Sequence, residues 1–394
     1  MVKHHEDEAK LEFLFTSESV SEGHPDKVCD MISDAILDAY IAEDPKSRVA
    51  CETLATTDKL IISGEITSQA SFTQEKISEI VRNTIRKIGY TKKHKGFDDN
   101  CEIINLLHEQ EGALRDNSST DNPGAGDQGL MFGYACDHTS QLMPIPIVLS
   151  HVLVQNLAKV RKNGQIPELM PDSKSQCTFR FIDRNPVELM NIVISTQHEK
   201  MDAEQFEAMK KKIEELVVNP SIEQVRKESK YDFSYTNVNK MINPLGMWED
   251  GGPAADTGLT GRKIIVDSYG GWARHGGGAF SGKDSTKVDR SACYMARHIA
   301  KSVVASKLAS ECEIQLSFVI GQHEPVAVMV DTFGTNQIHE REIEAKIRAN
   351  FNLSVKGIIE YLDLRKPIYN NTSAYGHFGR TDVNFSWETT KTLS

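Results

Sequence analysis

Residues 48–67, RVACETLATTDKLIISGEIT, consist of two strand-like runs on either side of a turn at Thr57–Asp58, which predicts a β-hairpin. The preceding residues 26–42 place apolar side chains at i, i+3, i+4 and i+7, and this spacing predicts a helix with one apolar face. Residues 73–90 predict a second amphipathic helix, with Thr73 as its N-cap. The local unit is therefore a helix, a hairpin and a helix.

The same order of elements recurs twice further along the chain. Residues 146–162, 176–196 and 202–217 form the second copy, and residues 289–304, 312–332 and 339–351 form the third. The hairpins begin near residues 49, 177 and 313, a repeat of about 130 residues. The alternative is chance recurrence, because the unit is simple.

We predict an α+β fold of three similar domains, each with helices on one face of a mostly antiparallel sheet, related by a pseudo-threefold internal repeat. As contiguous segments the domains are 13–111, 124–250 and 252–390, although the chain can cross over between them. The other sheet faces then need cover, either from one another or from a second subunit.

The composition is that of a globular protein, with 39% hydrophobic and 26% charged residues among 394. A formal net charge of -11 argues against a general nucleic-acid binder. The seven cysteines are scattered without any C-x-x-C pair, so neither a disulfide framework nor a zinc site is expected. The longest apolar stretch, residues 142–154, is too short to span a bilayer. We therefore expect a cytoplasmic protein that binds neither membrane nor nucleic acid.

Residues 276–290, GGGAFSGKDSTKVDR, come close to the phosphate-binding pattern G-x-x-x-x-G-K. Asp284 stands where that pattern needs Ser or Thr, and no strand directly precedes Gly277, so a standard P-loop is not expected. A glycine-rich connector is the plain alternative. Residues 262–301 nevertheless contain eight Lys and Arg against three Asp, which favours a polyphosphate site with Mg²⁺ near Asp284 and Asp289.

A second glycine motif, GAGDQG at residues 124–129, matches the dinucleotide-binding pattern G-x-G-x-x-G. It follows a loop and precedes the strand-like LMFGYA, whereas a dinucleotide fold needs a strand before the motif and a helix after it. Asp127 is then either a ligand for an ammonium or ribose group, or a turn aspartate bonded to its own backbone.

The segment GHPDK, residues 23–27, begins the first predicted helix. Pro25 and Asp26 suit the first turn of a helix, so Asp26 has a structural explanation as a capping acid. His24 and Lys27 are harder to explain in this way, and we expect His24 to face a cleft. Glu52 lies in a predicted strand and is either a cation ligand or a surface carboxylate.

These motifs, together with PDSKSQ (171–176), residues 256–292 and TSAYGHFGR (372–380), resemble those of the S-adenosylmethionine synthetases, or methionine adenosyltransferases. The resemblance extends in order from about Phe13 to Trp387. It implies three similar α+β domains and a homodimer with two active sites between subunits, often paired into a homotetramer. The implied reaction joins ATP and L-methionine with the help of two Mg²⁺ per site and K⁺.

By this resemblance, His24 lies beside the ribose and phosphates of ATP and assists the displacement, as do Lys174, Arg262, Lys283 and Lys287. The metal ligands are Asp26 and Asp289 for Mg²⁺ and Glu52 for K⁺. The ATP site comprises His24, Asp172, Lys174, Trp248, Asp256, Arg262, Lys263, Ala279 and Lys283. The methionine site comprises Glu65, Gln110, Asp127, Asp256 and Lys287.

Two stretches depart from the pattern of the family. The gating loop reads EGALRDNSSTDNP after Gln110 and is a few residues shorter than usual. Residues 247–250 are Met-Trp-Glu-Asp in place of Arg-Phe-Val-Ile, so Trp248 takes the place of the phenylalanine that lies against adenine.

Two rival functions remain open. One is a non-catalytic partner that binds nucleotide, which the altered gate favours and the intact His24 and Lys283 oppose. The other is a different ATP-using phosphotransferase built on the near-P-loop, which requires a strand directly before Gly277.

Overall fold

The computed structural model describes residues 11–91, 95–109 and 122–393. The strands are β1 Glu12–Val20, β2 Arg48–Thr56, β3 Lys59–Thr67, β4 Glu102–Glu109, β5 Gly129–Cys136, β6 Leu169–Ile182, β7 Asn185–His198, β8 Asn239–Ile242, β9 Gly258–Leu259, β10 Glu311–Phe318 and β11 Ala327–Asp331. The helices are α1 Pro25–Glu43, α2 Gln74–Ile88, α3 Ile145–Lys162, α4 Ala203–Ile213, α5 Asn219–Glu228, α6 Ile264–Asp267, α7 Val288–Ala305, α8 Glu340–Asn350 and α9 Val355–Tyr361.

The helix–hairpin–helix unit occurs three times, as the sequence pattern predicts. The units are α1-β2-β3-α2, α3-β6-β7-α4 and α7-β10-β11-α8. The first hairpin turns at Thr57–Asp58, where Asp58 adopts a positive φ of 53°, and Thr73 caps α2 through its side chain. The second hairpin begins earlier than predicted, at Leu169, because the polar residues 171–176 belong to β6 although they lack an apolar run.

The strands form three sheets in the orders β1-β6-β7-β8, β11-β10-β5 and β4-β3-β2-β9. Most neighbours are antiparallel, whereas β3 with β4 and β7 with β8 are parallel. The three sheets do not follow contiguous segments of the chain. The early strand β1 joins the sheet of the second hairpin, β5 joins that of the third, and β9 returns to that of the first.

Each hairpin sheet carries one long helix on its inner face: α1 packs on β2, α3 on β1 and β6, and α7 on β5 and β10. Buried apolar residues from the three sheets and their helices form one continuous core. On each sheet a leucine remains exposed, namely Leu14 on β1, Leu106 on β4 and Leu130 on β5.

The seven cysteines are free and buried. No helix within the described ranges has the length and apolar character needed to cross a membrane.

Candidate active site

Two turns that carry basic residues lie end to end along the edge of β2 that β3 leaves open. The first, residues 260–263, is called the arginine turn here; it follows β9 and is tied to β2 by a hydrogen bond from the Thr260 N–H to the Thr53 carbonyl at 3.0 Å. The second, residues 280–284, is called the lysine turn; the Cys51 N–H donates to the Gly282 carbonyl at 2.9 Å. One strand edge therefore brings together chain segments about 20 residues apart.

Gly282 is required for this arrangement. Its φ is +80°, and a Cβ at this position would lie 1.9 Å from the carbonyl oxygen of Cys51. The arginine turn also contacts the residue before the lysine turn, because a Cβ on Gly261 would come within 2.6 Å of the Ala279 Cβ. The predicted residues Arg262, Lys263, Ala279 and Lys283 are thus held in one neighbourhood.

Helix α1 holds the other side of both turns through buried aspartates. Asp26 accepts hydrogen bonds from the Leu259 N–H at 3.0 Å and from Lys263 Nζ at 2.6 Å. Asp30 accepts from the Gly261 N–H at 2.9 Å, and Asp34 accepts from the Gly282 N–H at 2.8 Å. Asp30 and Asp34 were not among the predicted site residues, although their i, i+4 spacing from Asp26 is visible in the sequence.

His24 is the N-cap of α1 and is buried, with its Nδ1 accepting from the Asp26 N–H at 3.1 Å. Burial, aided by the nearby Lys263 and Lys174 ammonium groups, lowers the pKa of His24 to about 3. The imidazole is therefore neutral across the physiological pH range, and its surroundings are electropositive.

Asp172 lies behind the residues that precede β9. Its Oδ2 accepts from the Gly252 N–H at 2.9 Å, while its Oδ1 is buried without a hydrogen-bond partner among the described residues. Burial, aided by the carboxylate of the exposed Asp256, raises the pKa of Asp172 to about 7. An unpartnered buried oxygen is costly, so this position is suited to receive a donor from a ligand.

Trp248 is half-buried and fixed by its own turn. Its indole N–H donates to the Asp250 carbonyl at 2.7 Å, and its backbone N–H donates to His198 Nε2 at 2.9 Å. A cavity of about 820 Å³ adjoins this turn and is lined partly by Gln197 and Ala254. None of the predicted site residues lines it, so this cavity is separate from the two turns.

Two ion pairs join the lysine turn to the residues that follow it. Lys283 Nζ lies 2.7 Å from Asp289 Oδ2, and Lys287 pairs with Asp284. Asp284 also accepts from the Val49 N–H at 2.8 Å and from the Thr286 N–H and hydroxyl at 2.9 and 2.7 Å. Although burial opposes ionisation, Lys287 and Thr286 hold the pKa of Asp284 below its ordinary value. Asp284 is therefore a structural acid, which leaves Asp289 as the metal-ligand candidate of the pair.

Two predicted cations, Lys174 on β6 and Arg262, are exposed, and within the described residues neither side chain makes a hydrogen bond or ion pair. The remaining candidates lie on β2, on β3 and in the loop before β5. Glu52 is exposed on the outer face of β2, Glu65 Oε1 lies 3.7 Å from His108 Nε2, and Asp127 accepts from the Gln128 N–H at 2.7 Å. Gln110 and most of the predicted gating loop lie outside the described residues.

In the part of the chain that the structure describes, no three His, Cys, Asp or Glu side chains form a metal cage by themselves. Mg²⁺ typically takes one or two carboxylates and completes its coordination with water and substrate phosphates. Asp26 and Asp289 fit that requirement, since both are carboxylates placed beside the phosphate-binding candidates Lys263 and Lys283.

Comparison with known families agrees with this geometry. Residues 12–112 match the N-terminal domain of S-adenosylmethionine synthetase, residues 122–248 match its central domain, and residues 250–389 match its C-terminal domain. The three matches leave only short segments uncovered. The chain therefore belongs to the S-adenosylmethionine synthetase family. Its activity is that of a methionine adenosyltransferase, a transferase that makes S-adenosylmethionine from ATP and methionine.

Proposed function

We propose that the methionine sulfur attacks C5′ of ATP in the groove beside the arginine and lysine turns, and that the released tripolyphosphate is hydrolysed there to pyrophosphate and phosphate. The observation that supports this mechanism is the alignment of the two basic turns along one edge of β2. The leaving group carries most of the developing charge, so fixed cations beside it are the main catalytic requirement.

The first step needs no general base, because a thioether sulfur has no proton to lose. A neutral His24 matches this chemistry, since its Nδ1 accepts from the Asp26 N–H and its Nε2–H can donate a hydrogen bond to the ribose or phosphate without adding charge. In this mechanism His24 orients ATP, and in-line alignment of sulfur, carbon and oxygen contributes the rest of the rate.

The triphosphate would be held by Lys174, Arg262, Lys263, Lys283 and, nearer the methionine, Lys287. Lys174 and Arg262 are exposed, whereas Lys263 and Lys283 are paired with Asp26 and Asp289. We infer that both lysines turn to phosphate when ATP binds. Asp26 and Asp289 would hold two Mg²⁺, and Glu52 would hold K⁺, with these ions neutralising charge on the departing phosphates.

The free oxygen of Asp172 and the exposed carboxylate of Asp256 are suited to ribose or amino donors of the adenosine and methionine. Trp248 presents a fixed aromatic face for adenine. Methionine would be placed by Lys287 and Asp127, with Glu65 and Gln110 beside it.

The exposed leucines on the three sheets support a homodimer that covers those faces and shares its active sites, with further pairing into a homotetramer. The domains 13–111, 124–250 and 252–390 then exchange strands β1, β5 and β9 within each subunit. Free, buried cysteines are consistent with a cytoplasmic location.

The test is to incubate the protein with ATP, L-methionine, Mg²⁺ and K⁺ and to detect S-adenosylmethionine by mass spectrometry, with tripolyphosphate, pyrophosphate and phosphate measured in parallel. We expect equal amounts of S-adenosylmethionine and phosphate. ATP binding without any product over a range of salt and pH would favour a non-catalytic partner, and ADP formation would favour a phosphotransferase.

A further inference from the structure

Helix α1 carries a row of four aspartates, Asp26, Asp30, Asp34 and Asp38, each four residues after the last. This spacing places them on one face of the helix. Each accepts hydrogen bonds from backbone N–H groups of a segment more than 200 residues away in sequence. The four aspartates therefore fix the positions of distant loops relative to α1.

Two of these aspartates accept hydrogen bonds from the residues next to the proposed phosphate-binding cations. Asp30 accepts from the N–H of Gly261, the residue before Arg262, and is also paired with the buried Lys27. Asp34 accepts from the N–H of Gly282, the residue before Lys283. The backbone on both turns is thus anchored one residue away from a cation.

Asp34 holds the lysine turn from two sides. Besides the Gly282 N–H, it receives both terminal nitrogens of Arg290, at 2.7 and 3.0 Å, and Arg290 in turn donates to the Lys283 carbonyl at 3.2 Å. The hydroxyl of Ser373 donates to the same carboxylate at 2.9 Å. Asp34 and Arg290 are fully buried, so the arrangement has little freedom to shift.

We propose that Asp34 and Asp30 are positioning residues for catalysis: they set where Lys283 and the Arg262–Lys263 pair stand relative to the triphosphate. This inference rests on the proposed function of those cations. Gly282 in the lysine turn and Gly277 shortly before it both have positive φ, so this stretch of backbone needs external anchors to keep one conformation. Misplacement of a catalytic group by about 1 Å can lower turnover about 100-fold.

Asp38 offers a matched control on the same helix. It is largely buried and accepts two backbone N–H groups, from Tyr369 at 2.9 Å and Asn370 at 2.8 Å. The segment that it anchors carries none of the proposed cations, and its contacts with the Asp34–Arg290 pair, among them those of Tyr369 and Ser373, come from outside the two turns. If the row only stabilised the fold, Asp34→Asn and Asp38→Asn variants of equal thermal stability would have equal activity.

The experiment compares these two variants with the wild-type full-length protein, at a temperature where circular dichroism shows all three folded. Asp34→Asn is expected to lower kcat about 100-fold, and Asp38→Asn is expected to stay within about twofold. A double-mutant cycle with Lys283→Met then asks whether Asp34 acts through Lys283. In the Lys283→Met background, Asp34→Asn should cost no more than about twofold. A full 100-fold loss in both backgrounds would refute the positioning role.

Tripolyphosphate affinity, measured by calorimetry, separates this inference from the proposed reaction. If the wild type makes no S-adenosylmethionine but binds tripolyphosphate, weaker binding in Asp34→Asn than in Asp38→Asn supports positioning, and equal binding refutes it. If Asp34→Asn does not fold, Asp30→Asn is used instead, in a double-mutant cycle with Arg262→Met. This variant is expected to fold, because the buried Lys27 that loses Asp30 still has Asp267 as a partner.

Discussion

Replacing Lys283 with methionine should abolish most of the turnover while leaving the fold intact. The methionine keeps the length and apolar stem of the side chain and removes its charge. In the structure the Lys283 ammonium lies at the end of the lysine turn, 2.7 Å from Asp289, and both side chains are partly exposed. The pair therefore faces the groove where the triphosphate is proposed to bind.

The expected size of the effect follows from the electrostatics of the site. A unit charge about 4 Å from a phosphate oxygen, at an effective dielectric constant of about 20, contributes about 4 kcal/mol. Because this interaction strengthens as charge develops on the leaving group, its loss should lower kcat about 1,000-fold. A partly exposed ion pair contributes at most about 1 kcal/mol to folding. The melting temperature should therefore change by no more than about 4 °C.

The assay is steady-state formation of S-adenosylmethionine, with a melting curve for each variant. Lys240→Met is the matched control: Lys240 Nζ also lies 2.7 Å from a carboxylate, that of Glu214, and has a similar exposure, 26% against 27% for Lys283. It lies on β8, outside the proposed site. A Lys283→Met enzyme with the same kcat as Lys240→Met would remove Lys283 from the mechanism.

Three further predictions concern the fold and the pH response. Gly282→Ala should destabilise the protein by more than about 3 kcal/mol, because its Cβ would clash with the Cys51 carbonyl. Gly164→Ala is the control: Gly164 also has a positive φ but faces open space, so this change should cost about 1 kcal/mol. Equal melting temperatures of the two variants would contradict this prediction. Trp248→Ala should raise the KM for ATP up to about tenfold through lost stacking, and an unchanged KM would exclude adenine contact. Burial raises the pKa of Asp38 to about 7, so its contribution to stability is present below pH 4 and lost as the pH rises through 7. The melting temperature of Asp38→Asn, relative to that of the wild type, should therefore rise between pH 5 and pH 8. A difference in melting temperature that does not change with pH would refute the raised pKa of Asp38.

The elements that sequence reasoning predicted well are those with local signals. The amphipathic pattern of α2 and its Thr73 cap both lie within one stretch, and so does the turn at Thr57–Asp58. Helices and hairpins depend on neighbours in sequence, so periodicity and capping residues are enough to recognise them. The threefold recurrence of the unit gave the fold class.

The exchange of strands could not be predicted in the same way. Strand β9 has only two residues, Gly258 and Leu259, and no apolar pattern marks it as a partner of β2. Strand β1 pairs with β6 across more than 150 residues. Such pairings depend on tertiary packing and leave no periodic trace in the sequence of either partner. Contiguous domain limits are consequently an approximation to an interleaved fold.

The candidate site was recognised from motifs, whereas its supporting residues were not. His24, Lys263 and Lys283 stood out because their motifs are unusual in loops. Asp30 and Asp34 lie within a regular helix, where an acid is normally read as part of a solvated face, and only burial reveals their partners. The spacing of four residues was present, but spacing alone does not separate a buried row from an exposed one.

The hydrogen bonds of residues 282–286 show how the near-P-loop motif differs from a P-loop. In a P-loop the backbone N–H groups of the turn cradle the phosphates. Here three of those groups are already occupied: the Gly282 N–H donates to Asp34, the Asp284 N–H to the Val49 carbonyl, and the Thr286 N–H to Asp284. These three N–H groups are therefore not free to bind phosphate.

Because the N–H groups of Gly282, Lys283 and Asp284 are committed to the fold, this end of the lysine turn can offer phosphate only the charge of the Lys283 side chain. Asp284 is what makes this possible, because a serine or threonine in its place could not accept from Val49, Thr286 and Lys287 together. A backbone cradle grips the phosphates of a nucleotide that remains bound, whereas flexible ammonium groups can follow an entire triphosphate as it leaves carbon. In the proposed reaction, the carboxylate that replaces the P-loop hydroxyl thus accompanies a change in what the site must stabilise, from a retained phosphate chain to a departing one.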